Sequence, residues 1–121
     1  MRVVYIAGPY SGKTTEETAG HVAAAEEMAK KLLLAGYAPL IPHRINATWQ
    51  GHEHFKDFTT HDWLERLCFP LMKKCDAMVM LAGWECSIGA VIERQNAIEL
   101  GIPVFYSMDD FTSAFPSKKL L

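Results

Sequence analysis

Cysteine is scarce in this chain: there are three, Cys68, Cys75 and Cys86, and no two stand in a CxxC pair. An odd number at irregular spacing excludes a disulfide framework and leads us to expect a reducing, cytoplasmic location. Long apolar runs are absent. None approaches the roughly 20 residues of a membrane span, so no membrane partner is expected. The opening stretch MRVVYIAGPY turns polar too soon for a secretory signal. An excess of one charge is missing as well. The 12 basic and 14 acidic residues leave a net charge of −2, which excludes a general pull toward nucleic acid polymers. A small anionic ligand stays open, because a few local donors suffice for it.

Half of the 121 residues are hydrophobic, enough for the core of one domain over residues 1–121. Residues 2–7 form a β-branched and aromatic run stopped by Gly8-Pro9, which reads as a buried first strand. Thr14 and Glu17 suggest a capping box for a helix reaching about Ala35. Val22, Ala25, Met28, Ala29, Leu32 and Leu33 would form its apolar face, and Gly36 ends it. Tyr37 to Ile41 reads as a second strand. Pro42 to Thr59 reads as a long irregular connection of the kind that often carries function. A helix is expected from Thr60 to Lys74, interrupted by Pro70. Ala77 to Ala82 reads as a central strand. Ser87 caps a helix that ends at Gly101, Ile102 to Tyr106 is a fourth strand, and Asp109 to Phe115 a short last helix. The tail from Ser117 is expected to be loosely held.

This alternation predicts an α/β fold: a doubly wound, flavodoxin- or Rossmann-like, mostly parallel sheet of four to five strands with helices on both faces. Ligands of such sheets sit beyond the carboxyl ends of the strands, where strand order reverses. The loops Gly8–Thr14, Pro42–Thr59 and Gly83–Ser87 should meet there.

The first loop, Ala7-Gly8-Pro9-Tyr10-Ser11-Gly12-Lys13-Thr14, imitates a P-loop. The true pattern needs a glycine where Ala7 stands, and Gly8 is one residue too close. The loop still offers backbone donors at a helix N-terminus, a cradle for an anion. A second constellation runs Gly83-Trp84-Glu85-Cys86-Ser87-Ile88-Gly89-Ala90 and on to Glu93. A carboxylate near a helix N-terminus is held as the anion, which suits a nucleophile at a sugar C1′. On physics alone the plainer reading is stronger: Ser87 only a cap, Glu93 a solvated helix residue. His43, His52, His54 and His61 tempt as metal ligands, but their spacing is poor for zinc, and pocket lining is the better reading. No metal and no cofactor is expected. Trp49 and Trp84 could stack on a base, although large aromatics more often simply pack. Glu85 reads as a loop residue and Cys86 as a small core filler.

Several of these residues together resemble the nucleoside 2-deoxyribosyltransferase superfamily. They are Tyr5-Ile6-Ala7-Gly8 in the first strand, Asp62, Cys75-Asp76-Ala77, and Ser87-x-Gly-x-x-x-Glu93. The resemblance spans about residues 3–106, and its Ser-to-Glu segment is the most specific part. It implies cleavage of the N-glycosidic bond of a nucleoside or nucleoside 5′-monophosphate. Glu93 would be the nucleophile, Tyr5 would position it, and Asp62 would orient substrate and exchange a proton with the base. Ser87 would bond sugar or phosphate, and Gly8 would admit the ligand to the end of the first strand. Pro9 and Ser11 stand where the monophosphate hydrolases carry a phosphate-holding Ser and Arg; Ser11, Gly12 and Lys13 could substitute. The expected substrate-binding set is therefore Gly8, Pro9, Ser11, Gly12, Lys13, His43, Trp84, Ser87 and Gly89. Asp76 has a structural part at its strand start. The resemblance further implies a homo-oligomer.

The leading expectation is thus an N-glycosidase or base-transferring enzyme acting on a small nucleoside or nucleotide. The rivals are a non-catalytic nucleotide-binding module, an NAD-cleaving glycohydrolase and a P-loop-like phosphotransferase.

Overall fold

β1 (Val3–Ala7) lies at the centre, and every side chain from Val4 to Ala7 is shut off from solvent. The structure, a computed structural model, describes residues 2–116. The expected loose tail from Ser117 lies outside the described residues. α1 (Thr15–Leu34) follows, then β2 (Ala38–Leu40) and α2 (Pro42–Trp49). A 3-10 turn at Glu53–Phe55 leads to α3 (Thr60–Trp63), a π-helical segment Leu64–Cys68, and α4 (Phe69–Met72). β3 (Ala77–Met80), a 3-10 turn Trp84–Cys86, α5 (Ile88–Glu99), β4 (Val104–Phe105) and α6 (Met108–Ala114) complete the order.

The four strands form one sheet, ordered β2-β1-β3-β4, and every pairing is parallel. Tyr5 sits opposite Leu40 on one side and Met78 on the other. Because successive strand residues point to opposite faces, the core divides in two. Val4, Ile6, Ala77 and Val79 meet Ala25, Ala29 and Leu32 of α1 and Phe111 of α6. Tyr5, Ala7, Met78 and Met80 meet Leu64, Cys68, Met72, Ala90 and Ala97 on the other face. Helices cover both faces, and continuous apolar strands are what that double burial requires. The fold is the expected doubly wound, flavodoxin-like α/β arrangement, with four strands.

The α1 boundaries follow from capping. Thr14 Oγ1 accepts from the Glu17 amide at 3.1 Å, and Gly36 takes the left-handed conformation (φ 98°) after the last turn. Leu33, expected on the buried face, is instead exposed, because the buried stripe runs Val22, Ala25, Ala29, Leu32.

Two expectations need correction. Residues 42–59 are not an irregular loop. Pro42 opens α2 at a position where its missing N–H costs nothing. The remainder is pinned by an aromatic cluster in which Trp49 stacks on Phe55 (5.8 Å), and Phe55 and Phe58 both meet Trp63. Pro70 does not break the helix either. The ladder widens ahead of it, with the Phe69 amide donating to the Leu64 carbonyl five residues back. A π turn absorbs the residue that cannot donate.

Candidate active site

The strand order reverses between β1 and β3, so their following loops diverge and leave a crevice at the carboxyl end of the sheet. The Leu81 amide donates to the Ala7 carbonyl at 2.7 Å, which makes the two chains leave the sheet side by side. Gly8 is needed at that point: a Cβ there would lie 2.5 Å from Leu81 Cβ. Gly8→Ala is accordingly expected to cost about 1–3 kcal/mol of stability, read by urea unfolding. An unchanged midpoint would mean that the loops part freely.

The crevice is a cavity of about 550 Å³. Gly8 to Ser11 come from the first loop, His43 and Asn46 from α2, Trp63, Leu64 and Cys68 from the α3–π segment, and Ser87 to Ala90 with Glu93 from α5. Gly83, with φ 86°, turns the chain into the 3-10 segment that delivers Ser87. Ser87 Oγ then caps α5 by accepting from the Ala90 amide at 3.2 Å. The same hydroxyl also carries one O–H donor, and Ser87 lines the cavity.

Glu93 is buried, and its Oε2 accepts a hydrogen bond from the Tyr5 hydroxyl. The solvated-helix-residue reading is thereby overturned, and so is the expectation of a carboxylate held ionised by the helix N-terminus. Glu93 lies beyond the first turn of α5, where the dipole has faded. Burial pushes its pKa up to about 7, and the Tyr5 hydrogen bond only partly opposes this. The group therefore changes charge near neutrality. Burial, followed by the neighbouring Glu93, raises the Tyr5 phenol well above its ordinary value, so Tyr5 remains a donor. Cys68 beside them is pushed to about 11, first by burial and then by Glu93, and stays a thiol. Tyr5→Phe removes the bond that lowers the Glu93 pKa. Its carboxyl titration, followed by carbon NMR, is expected to move above 7. An unmoved midpoint would show that the phenol does not act on the carboxylate.

The structure brings together Gly8, Pro9, Ser11, His43, Ser87, Gly89 and Glu93 on the cavity wall, with Tyr5 behind Glu93. It leaves others out. Asp62 is part of a reciprocal capping box: its Oδ2 accepts from the Thr59 amide at 2.9 Å and the Thr59 hydroxyl at 3.0 Å. Those bonds lower its pKa. Thr60, Trp63 and Leu64 of the same segment, not Asp62, face the cavity. Gly12 and Lys13 line a separate, shallower groove between α1 and α2, of about 700 Å³, whose lining includes no buried titratable side chain. Trp84 lies under the Arg94 guanidinium (5.2 Å) and against Tyr106 rather than in the cavity. Trp49 is taken up by Phe55. Cys86 is exposed at the mouth, not a core filler. Glu85 is exposed outside the lining. Asp76 holds the start of β1 by accepting from the Val3 amide at 2.8 Å. Of the histidines only His43 enters the cavity from the expected set, while His52 and His54 stack on each other at the surface. Among the described residues no group of three His, Cys, Asp or Glu could hold a metal ion.

Tyr10, His21, Asn46 and Cys68 also line the cavity and escaped the sequence reading. Asn46 had a usable signal: once Pro42 is read as a helix start, His43 and Asn46 fall on one face. Cys68 had none, because the π turn sets its direction.

Fold and site together define a doubly wound, parallel α/β domain with a cavity at its switch point and an ionisable glutamate in the wall. The chain belongs to the family described as a domain of unknown function, DUF4406, which matches residues 2–106. That span holds all four strands and every cavity residue named above. No curated protein matches the chain. Among the described residues no helix is long and apolar enough to cross a membrane.

Proposed function

We propose that this protein is an enzyme that cleaves the N-glycosidic bond of a nucleoside or nucleoside 5′-monophosphate, with Glu93 as nucleophile. The observation that carries the reading is the buried Tyr5–Glu93 pair in the wall of a cavity at the carboxyl end of the sheet. The resemblance to the nucleoside 2-deoxyribosyltransferase superfamily supports it. A Glu93 carboxylate oxygen would bond to the anomeric carbon as the carbon–nitrogen bond breaks. The bonding pair would leave with the base, which then takes a proton from water. Water, or a second base, would release the sugar from the resulting ester. Tyr5 acts through Glu93 as a positioning residue. Asp62 has no part in this scheme, since its carboxylate is committed to Thr59.

The test is incubation with ribo- and deoxynucleosides and their 5′-monophosphates, with and without an acceptor base, following free base by chromatography. Release of base is the expected result, with kcat/KM rising as pH passes through about 7, because only the ionised Glu93 attacks. Activity that instead falls above pH 7 would recast Glu93 as an acid. A second reading, a nucleotide-binding module without chemistry, is favoured by one feature: with its pKa near 7, Glu93 could serve as a neutral donor to a bound ligand. Tight binding with no base release would select it.

Self-association belongs to the same proposal. Ile88, Val91, Ile92 and Ile98 are exposed apolar residues on α5, and sedimentation of the purified chain would check it. The three free thiols support a reducing, cytoplasmic setting.

A further inference from the structure

In the two α2 residues that line the cavity, His43 and Asn46, one polar atom each is closed off from solvent and finds no partner within the described residues. His43 is only 3% exposed, and its Nε2 lies 3.2 Å from the Gly8 carbonyl oxygen. A carbonyl oxygen can only accept, so Nε2 carries the proton. In the neutral ring Nδ1 is then an acceptor, and it is buried without a hydrogen-bond partner. Burial keeps the ring neutral against the opposing pull of the Gly8 and Pro9 carbonyls, and nearby His21 works in the same direction as burial. One turn along α2, Asn46 presents Oδ1, also buried without a partner. Residues three apart share a helix face, and both line the cavity. Buried acceptors are rarely left open in folded proteins, and what closes them must bring N–H or O–H bonds.

We propose that His43 Nδ1 and Asn46 Oδ1 form a donor-reading subsite that takes the exocyclic amino group of a base such as adenine or cytosine, and disfavours the oxo group of hypoxanthine or uracil. This rests on the nucleoside-type substrate proposed above. An amino group carries two N–H bonds and can serve both acceptors at once. An oxo group would turn lone pairs toward lone pairs and leave all of them unpaired. Glu93 enters the cavity from α5, which covers the Tyr5 face of the sheet, whereas His43 and Asn46 enter it from α2, which pairs with α1 on the other face. A sugar held at the Glu93 carboxylate would leave the base to reach the α2 wall. Sugar hydroxyls also donate, and ribo and deoxy probes separate that source from the base.

The experiment is calorimetric binding to the full-length Glu93→Gln protein, which holds its ligand unturned, with base release by the wild type followed alongside. The probes are the 5′-monophosphates of deoxyadenosine against deoxyinosine, deoxycytidine against deoxyuridine, and adenosine against deoxyadenosine. The amino member of each base pair is expected to bind about tenfold or more tightly. Asn46→Leu should reduce that preference to about twofold or less, while Asn46→Asp, which keeps an acceptor, should retain it. His43→Phe should act as Asn46→Leu does; if it fails to fold, the two Asn46 variants carry the test. Equal binding of amino and oxo probes, a preference that survives Asn46→Leu, or no binding of any probe would overturn the subsite. A ribo-over-deoxy preference that collapses in its place would overturn the assignment to the base. Base release at equal rates from amino and oxo substrates would sink the subsite and leave the glycosidic reading standing. Amino-selective binding without any base release would do the reverse.

Discussion

Base release by this protein is expected to fall by about a thousandfold or more when Glu93 becomes glutamine. Glutamine keeps the size of the side chain and can still accept from the Tyr5 hydroxyl through its amide oxygen, so the pocket should survive. What it lacks is a nucleophilic oxygen. Attack on an anomeric carbon needs an anion, and among the described residues the one other carboxylate in the cavity lining is Glu17, which sits on the exposed start of α1. Free base measured by chromatography, with nucleotide binding measured in parallel, checks both halves. Undiminished release by the glutamine protein would remove Glu93 from the chemistry. Loss of release together with loss of binding would show a collapsed pocket, and Tyr5→Phe at raised pH would then decide the point.

The same substitution is expected to stabilise the fold in alkaline solution. Burial lifts the Glu93 pKa from the ordinary 4.5 to about 7. The folded state therefore holds this proton more tightly than the unfolded chain does. Its contribution is fully present below pH 4.5, fades as pH rises, and is lost above about 7. The interval corresponds to a cost on the order of 3 kcal/mol for keeping the buried anion at pH 8. Glutamine has no such titration. Its advantage over the wild type, measured by denaturant unfolding, should approach that size at pH 8 and vanish near pH 4. A constant difference across this range would mean that Glu93 does not titrate with the fold. Such a cost at one buried side chain is the pattern expected when a site needs charge where the core would rather have none.

The frame of the molecule was legible because its signals are local. Val3 to Ala7 and Ala77 to Met80 are apolar runs too short for helices, and Thr14, Gly36 and Ser87 mark helix ends by side-chain or backbone chemistry. α2 was missed because its sequence, PHRINATW, is short and mostly polar and opens on a proline, which a helix accepts only at its start. Thr59 and Asp62 form a capping pattern readable from sequence alone, and this local pattern, not the substrate role that the family resemblance implies, describes Asp62 in the structure. Burial of Glu93 could not be read locally. A glutamate amid Arg94 and Gln95 looks solvated until a strand 88 residues earlier sets a phenol against it. The unpaired atoms of His43 and Asn46 are equally invisible in sequence, since they are defined by what fails to surround them.

The widened turn at Leu64–Cys68 also has a meaning for how this wall could change. A π turn is in effect one surplus residue in an α-helix, and here Trp63, Leu64 and Cys68 face the cavity around it while Pro70 waits just beyond. Losing that one residue would return the helix to ordinary pitch and change which side chains its middle turn shows to the cavity, with the turns on either side kept in phase. A pocket made this way can be reshaped by a single-residue insertion or deletion, with the sheet and the glutamate left where they are.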